Sequence, residues 1–139
     1  MPFKPGPFFL IIVFSLCFIV LIPGCKKETA KTPWPSQVFE GNYTGTEVCS
    51  ASGTQLNTIS ITATSATQIS ISNLYGSGKS FTGVVSNDSC IIQPQIYNNG
   101  AGNAQMQGNF VLISDTINLS ILVATFGQQD ICKAVLVKH

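Results

Sequence analysis

Apolar and short polar residues alternate with a period of two in Ile59-Ser60-Ile61-Thr62, Ile69-Ser70-Ile71-Ser72 and Ile117-Asn118-Leu119-Ser120-Ile121. That spacing puts every apolar side chain on one face of an extended strand and every hydroxyl or amide on the other. A helix would need apolar residues every three or four places, and runs of Ile, Val and Thr lose side-chain freedom in a helix. Read to the C-terminus, the pattern predicts strands at roughly 38–49, 55–63, 67–74, 80–87, 89–97, 104–113, 116–126 and 130–138. The joints between them are short and rich in Gly, Asn, Asp and Ser, as at Asn87-Asp88 and Ser114-Asp115. Short joints make hairpins rather than crossovers. The expected fold is all-β, an antiparallel up-and-down meander of about eight strands. Closing it into a barrel would remove its exposed edges. A two-sheet sandwich is the alternative, since periodicity does not separate the two.

The N-terminus follows different rules. Phe8–Ile22 is an apolar run broken only by Ser15, with Lys4 ahead of it and Pro23-Gly24-Cys25 behind. The run is shorter than the roughly 20 residues that span a bilayer and has the form of a signal-peptide core. Leu21-Ile22-Pro23-Gly24-Cys25 resembles the lipobox of bacterial lipoproteins, and Lys26-Lys27-Glu28 resembles the opening of many lipoproteins from Bacteroidetes. The resemblance implies cleavage after Gly24 and a diacylglyceryl thioether on Cys25. Two or more acyl chains hold a protein stably on a membrane where one does not. The chain therefore divides into a signal peptide (1–24), a lipidated Cys25 with a flexible tether (25–37) and a β-barrel domain (38–139). In the tether, Pro33 and Pro35 flank Trp34, which is expected to pack partly on the domain.

Charge narrows the partners. The sequence has no Arg, and loss of Lys4 with the leader leaves Lys in balance with Asp and Glu. Phosphate neutralisation dominates nucleic-acid affinity, so a neutral chain without Arg is not expected to bind nucleic acid. The expected address is the outer membrane, on its periplasmic face with the cell surface as the alternative, with the lipid on Cys25 as the membrane contact and the domain a monomer.

Gly41-Asn42-Tyr43-Thr44-Gly45-Thr46 opens the domain, and the meander ends in Asp130-Ile131-Cys132-Lys133-Ala134-Val135-Leu136-Val137-Lys138. This pattern resembles the small lipocalin-like lipoprotein domains of Bacteroidetes, which are antiparallel β-barrels. Tyr43 stands where the lipocalin signature has Trp, and the signature's closing Arg has no counterpart here.

Cys17 falls in the signal peptide and Cys25 takes the lipid, leaving Cys49, Cys90 and Cys132. In a closed meander the first and last strands lie side by side and antiparallel. The end of the first then meets the start of the last, which predicts a Cys49–Cys132 disulfide, permitted in an exported protein. Cys90, within Cys90-Ile91-Ile92, reads as a small buried apolar side chain. No CxxC spacing exists and the one His is terminal, so no metal site is expected.

Candidates for catalysis are few. General acid–base and nucleophilic chemistry need a positioned base, and His139 is the last residue. Glu40, Glu47, Asp88, Asp115 and Asp130 are expected to be solvated or to cap turns, with Glu40 and Glu47 on opposite faces. Gly76-Ser77-Gly78 and Gly100-Ala101-Gly102 lead into no helix and read as hairpin tips, not phosphate loops. The amides of Asn98, Asn99, Asn103, Gln105, Gln107 and Asn109 read as solvated strand and loop residues. The expected function is a non-catalytic envelope binding module without a cofactor, taking a small apolar ligand at the open end of the barrel or an envelope partner. The alternative is an inhibitor of a host or competitor lysozyme or protease.

Overall fold

The computed structural model describes residues 32–139. The signal peptide with Cys17, the lipidation residue Cys25 and the tether as far as Lys31 lie outside the described residues. Eight strands form, β1 (Gly41–Cys49), β2 (Gly53–Ser65), β3 (Gln68–Ser72), β4 (Ser80–Ser86), β5 (Ser89–Asn98), β6 (Asn103–Ile113), β7 (Thr116–Thr125) and β8 (Gln128–Lys138). Each pairs antiparallel with the next, and β8 pairs back onto β1, so spatial order equals chain order in a closed barrel. The β1–β8 ladder runs from Tyr43↔Lys138 to Cys49↔Cys132 and rules out the sandwich alternative.

An eight-strand barrel has an interior just wide enough for side chains to fill. Ile59, Ile71, Met106, Phe110, Ile117 and Leu136 are among those that fill it, all fully buried. Thr58, Ser60, Asn118 and Lys133, at the intervening positions, are exposed. A membrane-spanning barrel has the opposite arrangement, apolar outside and polar within.

The two ends differ, and the N-terminal residues close one of them. The first strand, expected from Val38, begins at Gly41, because Pro35–Phe39 forms a short 3-10 helix. Pro33 and Pro35 lack the N–H that a ladder needs. Phe39 is fully buried and meets Phe110 edge-to-face with ring centroids 5.8 Å apart. The Tyr43 hydroxyl donates to the Phe39 carbonyl at 2.9 Å, and the Ser36 hydroxyl donates to the Ser65 carbonyl. Lys138 lies over the Tyr43 ring, its Nζ 5.9 Å from the centroid. This end is plugged by packed, hydrogen-bonded residues.

Two inward glycines permit close approaches in the wall. A Cβ on Gly45 would overlap the Val135 carbonyl of the neighbouring strand. A Cβ on Gly83 would overlap the Cys90 Sγ, which packs into the space that Gly83 leaves. Cys90 is fully buried, and burial pushes its thiol up to about 12.

Cys49 and Cys132 are disulfide-bonded across the β1–β8 seam, as barrel closure predicts, with Cα atoms 4.0 Å apart and a sequence separation of 83. Linking residues so distant restricts the unfolded chain by about 4–5 kcal/mol in the chain-entropy treatment, and native disulfides in small domains are worth about 2–5 kcal/mol. The Cys49→Ala/Cys132→Ala variant is expected to lose about 3 kcal/mol of unfolding free energy. Urea denaturation of both proteins checks this, and an unchanged midpoint would contradict it.

Candidate functional site

At the end opposite the plug, the turns after β1, β3, β5 and β7 surround an open bowl of about 830 Å³. The first three turns and the adjoining ends of β7 and β8 contribute to its lining, which includes Ser52, Ser77, Asn98, Asn99, Gln128 and Gln129 at the rim. Tyr75, Tyr97 and Val123 line it as well, and Asp130 and Lys79 are its only charged residues among the described residues. The volume falls within the range of small-molecule sites, about 300–1,000 Å³.

Three of these turns are fixed by their own hydrogen bonds. The turn after β1 folds over Asp130, whose Oδ1 accepts from the Ala51 N–H at 2.7 Å and the Ser50 hydroxyl at 3.1 Å. Asp130 Oδ2 accepts from the Ser52 N–H at 3.1 Å and the Tyr75 hydroxyl at 2.8 Å. The carboxylate thus joins β8 to two of the mouth turns. In the turn after β3, Asn73 Nδ2 donates to the Thr58 carbonyl at 2.8 Å and Asn73 Oδ1 accepts from the Gly78 N–H at 3.0 Å. Leu74 is fully buried beneath it. After β5, Asn98 Oδ1 and Asn99 Oδ1 accept from the Gly100 and Ala101 N–H groups at 2.8 and 3.0 Å.

Tyr75 has φ 56°, in the left-handed region. A bulky residue there is uncommon and costs about 1–2 kcal/mol. Its position is held by the buried Leu74 on one side and the bond to Asp130 on the other. Tyr97 packs edge-to-face on Phe81, centroids 5.3 Å apart. Both tyrosines are therefore fixed where they line the bowl.

Glu47 is the second buried carboxylate of this half of the barrel. It points inward two residues before Cys49 and is fully buried. Its Oε2 accepts from Gln55 Nε2 at 2.8 Å and, more weakly, from Asn57 Nδ2 at 3.3 Å, while Oε1 has no partner among the described residues. Burial pushes its pKa up and outweighs the lowering by Gln55 and Asn57; the charge on Asp130 adds a further upward push. Asp130 goes the other way. Burial raises it, but the hydrogen bonds from Ser52, Ala51, Tyr75 and Ser50 prevail and hold it well below the usual carboxylate range.

Glu47, 0% exposed, departs from the expectation that every carboxylate is solvated or caps a turn, whereas Asp130 does cap the turn after β1 but does so from a buried position, 7% exposed. The physical reason is strand parity. Glu47-x-Cys49 and Asp130-x-Cys132 are two-residue steps, so each acid shares the inward face of its disulfide cysteine. The other acids are placed differently. Glu40 Oε1 accepts from the Ala63 N–H at 2.9 Å near the plugged end, and Asp88 and Asp115 sit in the two-residue turns closed by Ser86↔Ser89 and Ile113↔Thr116. His139 is exposed, its N–H bonded to the Asn42 carbonyl at 3.0 Å. Glu47, Cys49 and Cys132 place ligand-type atoms within 4.8 Å of one another. Both sulfurs are joined in the disulfide, so the trio as it stands offers one carboxylate, short of the three or four ligands a zinc site needs.

The amide-rich segment divides between two surfaces. Asn98 and Asn99 line the bowl, whereas Gln105 and Asn109 are exposed on β6 beyond its lining. Packed side chains fill the barrel below this mouth, and amides and hydroxyls line much of its rim.

No family model and no curated protein matches the chain. Among solved structures it is similar to a redesigned β-barrel, b11L5F_LGL, with a TM-score of 0.56 and 13% identity over 78% of this chain and 97% of that one. It is also similar to EF1p2_mFAP2b bound to DFHBI, with a TM-score of 0.57 and 12% identity over 77% of this chain and 100% of that one. At such identities the likeness is one of fold, that of the β-barrel.

The two buried acids have opposite pH signatures. Glu47, raised above 4.5, stabilises the fold while protonated, and that contribution is lost as pH rises from 4.5 through its folded pKa. Asp130, lowered from 3.8, gives stability that is present above 3.8 and is lost as pH falls toward its folded value. Glu47→Gln removes the first effect alone. Urea midpoints between pH 3.5 and 8 are expected to fall less with rising pH in the variant than in the parent. Parallel curves would contradict a buried Glu47 with a raised pKa.

Proposed function

We propose that this protein is a lipid-anchored, non-catalytic binding barrel of the bacterial cell envelope, related to the lipocalin-like lipoproteins of Bacteroidetes, whose open mouth takes a small polar ligand. The observation that carries the reading is the bowl itself, built from three turns and the ends of β7 and β8, large enough for a small molecule and lined mainly by uncharged hydrogen-bonding groups. Three of its turns are tied down before any ligand arrives, and preorganisation lowers the ordering cost of binding. EF1p2_mFAP2b, bound to DFHBI, is a barrel of similar fold, which agrees with a binding role.

The two acids of this half favour binding over catalysis. Asp130 has both oxygens engaged by four donors, and Glu47 is sealed in the wall away from the bowl lining. Neither is presented as a free general acid or base to a molecule in the mouth.

The 3-10 helix that precedes β1 packs at the plugged end. Lipidation is tested by growing cells that express the full chain with labelled palmitate. The parent is expected to take up label and sediment with membranes, and Cys25→Ala to do neither. Equal labelling of the variant would overturn the assignment of Cys25.

A further inference from the structure

We infer that the ligand of the mouth is a neutral polyhydroxylated molecule, a sugar or short glycan, bound by the amides of Asn98, Asn99, Gln128 and Gln129 beside the Tyr75 and Tyr97 rings; this rests on the reading of the mouth as a binding site. Three features of the bowl lead to this chemical class.

The first is the supply of hydrogen-bonding groups. The oxygens of Asn98 and Asn99 hold their own turn, which leaves both NH2 groups as donors for a ligand. Gln128 and Gln129 are exposed, with no side-chain hydrogen bond to the described residues, so each offers a donor and an acceptor. A hydroxyl both donates and accepts, and a ligand carrying several of them matches such mixed amides. A carboxylate or phosphate, which only accepts, would leave the glutamine oxygens unmatched.

The second is charge. Among the described residues Lys79 is the one cation on the lining, and Asp130 is already surrounded by donors from the protein. With no Arg in the chain, no bidentate clamp for an anion exists. A neutral ligand fits this balance better than an anionic one.

The third is the aromatic pair. Tyr75 and Tyr97 are half-buried and both line the bowl. Tyr97 is held against Phe81, and Tyr75 is kept in a left-handed conformation by its bond to Asp130. Strained conformations persist where the surrounding structure over-determines them, and they cluster at ligand sites. A rigid aromatic ring offers an apolar face at low entropic cost, which suits the C–H faces of a sugar ring whose rim hydroxyls meet the amides. A wholly apolar ligand would strip water from these amides without replacing their hydrogen bonds.

The test uses the full chain in detergent micelles, with backbone amide NMR following titrations of neutral oligosaccharides of glucose, xylose and N-acetylglucosamine. Parallel titrations use an apolar dye and a dicarboxylate. At least one oligosaccharide is expected to shift the signals of residues 75–77, 97–100 and 128–130. Gln128→Ala/Gln129→Ala is expected to weaken that binding at least tenfold while the remaining spectrum stays unchanged. Asn99→Asp, which keeps the oxygen that holds the turn but removes the NH2 donors, is expected to weaken it as well. If the dye or the dicarboxylate shifts the mouth signals and no oligosaccharide does, the sugar assignment is overturned and the binding site stands. If no probe moves the mouth signals, both readings fall.

Discussion

The ladder between β1 and β8 is the interaction on which the rest of this structure depends. Without it the meander is an open sheet with two unpaired edges and one apolar face toward water. With it, residues such as Ile59, Phe110 and Leu136 share a single interior. The Cys49–Cys132 disulfide lies at the mouth end of that ladder, and the Tyr43↔Lys138 pair lies at the plugged end. Closure also places Asp130, on the last strand, beside the turn that follows the first. The four hydrogen bonds to its carboxylate then fix two of the mouth turns. One long-range pairing therefore accounts for the core, the disulfide and the shape of the mouth.

Much of the fold was legible in the sequence because a period of two is a local signal. Ile69-Ser70-Ile71-Ser72 and Ile117-Asn118-Leu119-Ser120-Ile121 need no distant residue to be read as strands, and Asn87-Asp88 and Ser114-Asp115 announce their turns. The disulfide followed from topology once closure was assumed. The 3-10 helix at Pro35–Phe39 was not legible, since Phe39 reads equally well as the start of a strand. Only its fit against Phe110 at the barrel end distinguishes the two.

The mouth is less legible in the sequence, for a specific reason. Asp130 and Glu47 look like ordinary surface acids until their parity with Cys132 and Cys49 is applied, after which both must point inward. That signal was present but requires the disulfide to be taken as an inward-facing pair. The partition of the amides was a different matter. Asn98 and Gln105 are alike in composition, and only the path of the chain puts one on the rim and the other on β6. Cys90 shows the opposite case, in which a plain reading as a small apolar side chain agrees with a thiol packed into the space left by Gly83.

Hydrogen exchange tests closure most directly. In a closed barrel, the amides of β1 and β8 that bond to each other are protected as strongly as those between β6 and β7. The expected result for the full chain is slow exchange along both Thr44–Val48 and Lys133–Val137, with protection comparable to that of Asn109–Val111. Rapid exchange confined to the facing amides of β1 and β8 would show an open seam, and would contradict the account of the core, the disulfide and the mouth together.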